Sequence, residues 1–140
     1  MLGDSGTRTL DAQLAPGHVS VITGAKDWER FPVKYNLPVA VAGFEPVDIL
    51  AAIEMVLRMM EHGKARLANE YGRYVKSSGN RAALELMEKV FSVEKAFWRA
   101  VGWVDNSGLF LTDSYRAFDA RAKYGVRMEG TTCLLYTSDA

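Results

Sequence analysis

Cysteine is nearly absent from this sequence. Cys133 is the single cysteine among 140 residues, so neither an internal disulfide framework nor an all-cysteine metal site can form within one copy of the chain. No apolar run reaches the length of about eighteen residues that a membrane helix needs. The first residues also lack the basic-then-apolar order of a secretory signal. These absences predict a cytoplasmic protein with no membrane partner.

Charge of one sign is not in excess either. Lys plus Arg and Asp plus Glu number 17 each, so the net charge is zero, and we expect no nucleic-acid partner. The P-loop, G-x-G-x-x-G and G-x-S-x-G patterns are absent, which removes the common phosphate-binding and hydrolase signatures. Hydrophobic residues make up 49% and charged residues 24%, the balance of an ordinary globular domain.

The apolar residues that are present alternate between strand and helix patterns. Short charge-free runs predict strands over 12–15 and 39–42. Helical spacing predicts helices over 26–35, 46–62 and 81–91, the last of them capped by Asn80. The remaining predictions are a continued helical piece over 64–75, a hairpin of strands 97–104 and 109–111 turning at "DNSG", and a last helix to 123 capped by Thr112 or Asp113.

This order of elements predicts the α/β class with a parallel, Rossmann-like sheet. Two parallel strands joined by a helix place their carboxyl ends at the same edge. "APGH" follows the first strand and "GFEP" follows the second. The two loops should therefore be neighbours at the edge where open α/β sheets bind ligands.

Two residues of these loops are candidates for chemistry. His18 can ligate a metal, transfer a proton or hold a thiolate, or it can be a loop histidine satisfied by nearby backbone. Glu45 can cap the helix that starts at Pro46 and complement its dipole, or it can belong to a site. Asp, Asn, Ser and Thr cap better than Glu, and Asp48 already places a negative charge in the first turn.

Trp98 and Arg99 form a third candidate, on the predicted hairpin. An arginine beside an aromatic residue can recognise an anion. The alternative for Trp98 is a buried strand position. Both interpretations remain open from the residues alone.

Several segments together resemble the HypD family, scaffold proteins that mature the active site of [NiFe]-hydrogenases. The segments are "LAPGHVSVITG", "LPVAVAGFEPVDIL", "NEYGRYV", "GN" at 79–80, "FWRAVGWVDNSGLFL" and "YRAFDA". The resemblance is collinear over 11–124. It leaves 1–10 as a non-matching or partial start and 125–140 as a tail outside the family, artefactual from about residue 131 by its likeness to translated adapter sequence.

The resemblance implies a metal-assembly scaffold rather than a turnover enzyme. Its members have two related α/β domains facing a cleft and a third region with a [4Fe-4S] cluster. They carry a transient Fe(CN)2CO unit, with a HypC-type chaperone and a HypE-type cyanide donor as partners. The resemblance makes His18 and Glu45 the candidates for direct chemistry and implies a cleft-shaping role for Pro16, Gly17, Val19, Ser20, Gly43, Phe44, Pro46 and Asp48.

The departures from the family are its cysteines. The family's iron and cluster chemistry depends on cysteine motifs before and after the matched segment. We therefore expect an incomplete internal fragment that binds neither metal nor cofactor by itself, and Cys133 receives no role. Two alternatives are a stand-alone α/β small-molecule-binding module or small enzyme using His18 and Glu45, and a truncated reading of a longer gene without function of its own.

Overall fold

Three parallel strands form the centre of the first of two units. The computed structural model describes residues 10–98 and 101–125, and the chain divides after Leu84. The strands are β1 (Gln13–Pro16), β2 (Val39–Ala42) and β3 (Leu67–Asn69). β2 lies in the middle and pairs in parallel with both neighbours. The predicted α/β class with a parallel sheet is confirmed.

Helices connect these strands. α1 (Gly17–Thr23), a 3-10 helix (Lys26–Glu29) and α2 (Arg30–Tyr35) lead from β1 to β2, and α3 (Pro46–Glu61) leads from β2 to β3. The predicted helix over 46–62 is confirmed, and Gly63 follows it with φ of 63°. Where the sequence pattern predicts a loop after Pro16, α1 begins at once.

Both faces of β2 are buried. Alternate residues of a strand point to opposite faces, so Val39 and Val41 lie in one apolar cluster with Trp28 and Phe31 packed against it. On the other side, alanines at positions 40 and 42 face small and medium side chains of α3. The charge-free run 39–42 is thus explained by burial of all four residues.

β3 corrects the helical prediction for 64–75. It has three residues and pairs with β2 from Leu67 opposite Val39 to Asn69 opposite Val41. A strand this short has no readable period of its own. Its conformation comes from pairing with β2, which local sequence does not encode. The chain then turns, with the amide N–H of Val75 donating to the Tyr71 carbonyl at 2.9 Å.

The second unit contains an antiparallel hairpin. α4 (Arg81–Val90) crosses the unit boundary and leads into β4 (Phe91–Trp98), which pairs with β5 (Gly102–Leu111). The predicted hairpin is present, but its turn is elsewhere, because "DNSG" lies inside β5 and the strands are joined between Trp98 and Gly102. Residues 105–107 of β5 stand opposite Lys95 alone, as an irregularity in the register. Asn106, with φ of 52°, supplies a bulge here rather than a turn.

The segment after the hairpin is two short helices where one was expected. A 3-10 helix (Asp113–Phe118) precedes α5 (Ala120–Tyr124). The cap of α5 is Asp119, whose carboxylate accepts from the amides of Arg121 and Ala122. Thr112 occupies the N-cap position of the 3-10 helix, but no capping hydrogen bond is made by its side chain.

Candidate functional site

The start of α1, directly after β1, and the loop after β2 lie side by side, as strand order predicts. Pro16 stands opposite Ala42 in the register, so both strands exit at the same edge. The ring centroids of His18 and Phe44 are 4.6 Å apart. The structure therefore brings together the two sequence motifs that were separated by more than twenty residues.

A third loop, after β3, supports the first two. A Cβ atom placed on Gly17 would lie 2.6 Å from Tyr71 Cδ1, and one on Gly43 would lie 2.7 Å from Tyr71 Cε2. Glycine is needed at both positions because the Tyr71 ring, together with the Ala42 carbonyl at Gly17 and the Asp48 carboxylate at Gly43, leaves no room for a side chain. Burial raises the pKa of the Tyr71 phenol above its ordinary value, and the charge of Glu45 raises it further.

Arg73 lies at the centre of a group of three carboxylates. Its Nη1 donates to Asp48 Oδ1 at 2.9 Å, and its Nη2 donates to Asp48 Oδ2. The Nη2 atom is also 3.4 Å from Glu45 Oε2, and Nη1 is 3.8 Å from Glu70 Oε1. Glu70 in turn accepts from the amide N–H of Gly43 at 3.4 Å. This group therefore joins the loops after β2 and β3.

The three carboxylates differ in exposure. The Asp48 side chain is 8% exposed and that of Glu45 is 61% exposed. Hydrogen bonds from Arg73 hold the pKa of Asp48 below its ordinary range. Asp48 is consequently an ionised anchor inside the site, and Glu45 is the carboxylate that solvent or a ligand can reach.

Glu45 is not a side-chain cap. It occupies the N-cap position of α3 in extended conformation, but its side chain makes no capping hydrogen bond. The carboxylate contacts Arg73 instead. Of the two roles that the residues left open, the structure therefore shows a carboxylate directed to the Arg73 group.

An apolar hollow of about 230 Å³ lies beside the end of β1 and the loop after β2. Phe44 and Gly43 of the loop after β2 form part of its wall, together with residues of β1, β2 and α3: Leu14, Ala15, Pro16, Ala42 and Ile49. An apolar wall next to an imidazole and an exposed carboxylate can combine hydrophobic contact with proton transfer or hydrogen bonding.

Ser20 and Val19 occupy different environments in α1. The Ser20 side chain is fully buried, donating to the Pro16 carbonyl at 2.9 Å and accepting from Trp28 Nε1 at 2.9 Å. Val19 is exposed. Ser20 thus secures the junction between β1 and α1 from inside, because one hydroxyl ties Pro16 to Trp28 of the following 3-10 helix.

Trp98 belongs to the second unit. Its Nε1 donates to Ser107 Oγ at 2.7 Å, and Ser107 donates to the Val104 carbonyl at 2.8 Å. The indole is half exposed, so the buried-strand interpretation of Trp98 is wrong. Arg99 lies outside the described residues, and recognition of an anion by this pair stays a prediction.

Sequence reasoning missed Glu70, Tyr71 and Arg73 as site residues. They lie in "NEYGRYV", which carries part of the resemblance to HypD but which the pattern assigns to a helix. Recognition of β3 as a third parallel strand would have found them, because the residues after it would then be expected at the same edge.

Metal-binding clusters and membrane-spanning helices are both absent from the described part of the chain. Within 10–98 and 101–125, His, Cys, Asp and Glu side chains form no group of three or more that could hold a metal ion. Among the same residues, no helix combines the length and apolar character needed to cross a bilayer.

Comparison with known proteins identifies the family. A family model described as "HypD: Hydrogenase formation hypA family" matches residues 1–134. The chain belongs to the HypD family. The family match extends beyond 11–124 at both ends, and the finer division into domains stays a prediction.

Curated relatives of the HypD family carry names that refer to hydrogenase formation. The hydrogenase maturation factor HypD of Rhodobacter capsulatus is 41% identical over 122 residues, which are 86% of this chain and 32% of that protein. A putative hydrogenase expression/formation protein of Methanocaldococcus jannaschii is 44% identical over 110 residues, 79% of this chain and 31% of that protein. HypD of Escherichia coli is 36% identical over 116 residues, 82% and 31% respectively. The chain thus spans about a third of the length of these relatives.

Proposed function

We propose that this chain acts in hydrogenase maturation as part of a HypD-type scaffold that helps assemble and deliver the Fe(CN)2CO unit of [NiFe]-hydrogenase. The observation that carries the proposal is the family match over residues 1–134, together with relatives named as hydrogenase maturation factors. The iron unit is cargo, and the chain contributes one wall of the cleft in which it is handled. The proposed setting is the cytoplasm.

The start of α1 and the loops after β2 and β3, which converge at one sheet edge, support a local role for this chain. The His18 ring contacts Phe44 at the sheet edge. Glu45, which follows Phe44 in the sequence, has an exposed carboxylate. An imidazole N–H can donate a hydrogen bond to the cyanide ligands of the cargo, and an imidazole or a carboxylate can exchange a proton with it. In the proposal, Pro16, Gly17, Gly43 and Phe44 shape the wall that positions these two groups.

The cofactor and the partner proteins are proposed for the longer HypD-type scaffold. Residues 10–98 and 101–125 include no cysteine and no metal-binding group of three or more side chains, so they do not fit a [4Fe-4S] cluster. The HypC-type chaperone and HypE-type cyanide donor are proposed partners of the longer scaffold.

Maturation in a strain that lacks its own HypD tests the proposal. A full-length family protein is supplied with alanine at the positions that align with His18 or Glu45, and hydrogenase activity is measured. We expect each variant to lower maturation at least about tenfold, since each removes a group that handles the cargo.

Glu54→Ala is the matched control for Glu45→Ala. Glu54 is 62% exposed and pairs with Arg58 at 2.7 Å on α3. The Glu54→Ala variant therefore loses a comparable exposed carboxylate away from the sheet edge. We expect maturation to be unchanged in this control. Unchanged maturation in both the His18 and Glu45 variants would exclude direct roles for these residues.

A further inference from the structure

Arg73 makes two contacts of very different strength near the start of α3. Both Asp48 oxygens accept hydrogen bonds from its guanidinium, and the Asp48 side chain is nearly buried. The contact with Glu45 is a single one at 3.4 Å to an exposed carboxylate. A shielded bidentate pair keeps its geometry, whereas an exposed single contact exchanges readily. Arg73 is therefore fixed on Asp48, and Glu45 is the exchangeable partner.

Two aromatic rings restrict Arg73 further. The guanidinium carbon lies 4.6 Å from the Tyr71 ring centroid and 5.5 Å from that of Tyr74. Contact with ring faces and with a bidentate carboxylate leaves the guanidinium few orientations. The Nη2 atom that contacts Glu45 is consequently held in a defined position.

The local charge balance allows Glu45 to leave. One guanidinium faces three carboxylates, of which Asp48 and Glu70 are the shielded ones. When Glu45 moves to another partner, Arg73 keeps both of these, so its charge remains compensated. If Arg73 instead moved away from Asp48, a shielded carboxylate would be left without its cation.

We propose that Arg73 is a positioning residue: anchored on Asp48, it holds the Glu45 carboxylate at the sheet edge and releases it to a ligand that carries positive charge or donates a hydrogen bond. This inference rests on the proposed role of Glu45 in maturation. It assigns Arg73 two separable effects, one on stability through Asp48 and one on function through Glu45.

The test measures the same variants in two assays. Arg73→Gln, Glu45→Gln and the double variant are compared in denaturant unfolding of the 140-residue chain. They are also compared in hydrogenase maturation by a full-length family protein changed at the aligned positions. In denaturant unfolding, we expect Arg73→Gln to raise the equilibrium constant for unfolding roughly tenfold, because Asp48 loses both hydrogen bonds. Glu45→Gln should change it less than about threefold, as for an exposed pair.

In maturation, we expect a different order of effects. Each single variant should lower maturation about tenfold or more. The double variant should be no more impaired than the more impaired of the two single variants, because both substitutions remove the same contact between Arg73 and Glu45. Arg73→Lys keeps the charge without the planar fork, so it should recover part of the stability but not the maturation. Arg58→Gln, which loses a comparable exposed contact with Glu54, should behave as wild type in both assays.

Three results would overturn the inference. One is a double variant whose maturation loss equals the product of the two single losses. Another is normal maturation in Arg73→Gln although this variant is destabilised as expected. The third is normal maturation in Glu45→Gln and Arg73→Lys while His18→Ala abolishes it, which would leave the proposed function standing and remove only this inference.

Discussion

At the scale of single residues, Gly43 is where the site is most tightly packed. A Cβ atom there would overlap Asp48 Oδ2 and lie 2.7 Å from Tyr71 Cε2. Both neighbours are held by Arg73, so neither can move away without breaking a contact. We expect Gly43→Ala to lower the free energy of unfolding by about 2–3 kcal/mol, measured by denaturant titration.

Gly72→Ala provides the control for this prediction. Its Cβ would meet nothing closer than Asn69 O at 3.7 Å, which is an ordinary van der Waals distance. Its effect on the free energy of unfolding should stay within about 1 kcal/mol. Equal destabilisation by the two substitutions would show that the crowding at Gly43 is unimportant.

Asp48 also predicts how stability depends on pH. Arg73 lowers the folded-state pKa of Asp48 below the ordinary value of 3.8, so its contribution to stability is present above that value and is lost as pH falls through the folded pKa. We expect Asp48→Asn to be less stable than wild type at neutral pH and the two to converge below about pH 4. The measurement is the urea midpoint of both proteins across this range, and a constant difference between them would contradict the assignment.

At the scale of elements, the start of α4 depends on one cap. The amide N–H of Ala83 donates to Asn80 Oδ1 at 3.2 Å, as the sequence predicts for Asn80. Asn80→Ala should lower the free energy of unfolding by about 1 kcal/mol, because an N-terminal amide of the helix loses its acceptor. Asn80→Asp keeps an acceptor oxygen and should remain close to wild type in the same thermal or denaturant measurement. A larger loss in the aspartate variant would argue against capping as the cause.

At the scale of the whole molecule, the two units differ in burial. Every residue of β2 is buried, whereas none of the described residues 85–98 and 101–125 is. Amides shielded by a core open only with larger parts of the structure. We expect hydrogen exchange to be slowest in β2 and several orders of magnitude faster in β4 and β5. Mass spectrometry or NMR measures the amide exchange rates, and equal protection of the amides in both units would contradict this difference.

The sequence by itself determined the elements whose causes are local. The charge-free run 39–42 predicts a buried strand, and Pro46 with Gly63 marks the ends of α3. The neighbourhood of His18 and Phe44 was also predictable, because parallel topology alone places successive strand exits at one edge. Asn80 was recognisable as a cap because a capping side chain acts on residues within its own turn.

Only the tertiary structure decided β3, the position of the hairpin turn and the partner of Glu45. β3 exists through its pairing with β2, and "DNSG" becomes a bulge because residues of β4 stand opposite it. Glu45 contacts Arg73, 28 positions along the chain, rather than the helix that it begins. Strand register and ion pairs join residues that are distant in sequence, so no local pattern specifies which partner a strand or a carboxylate will find.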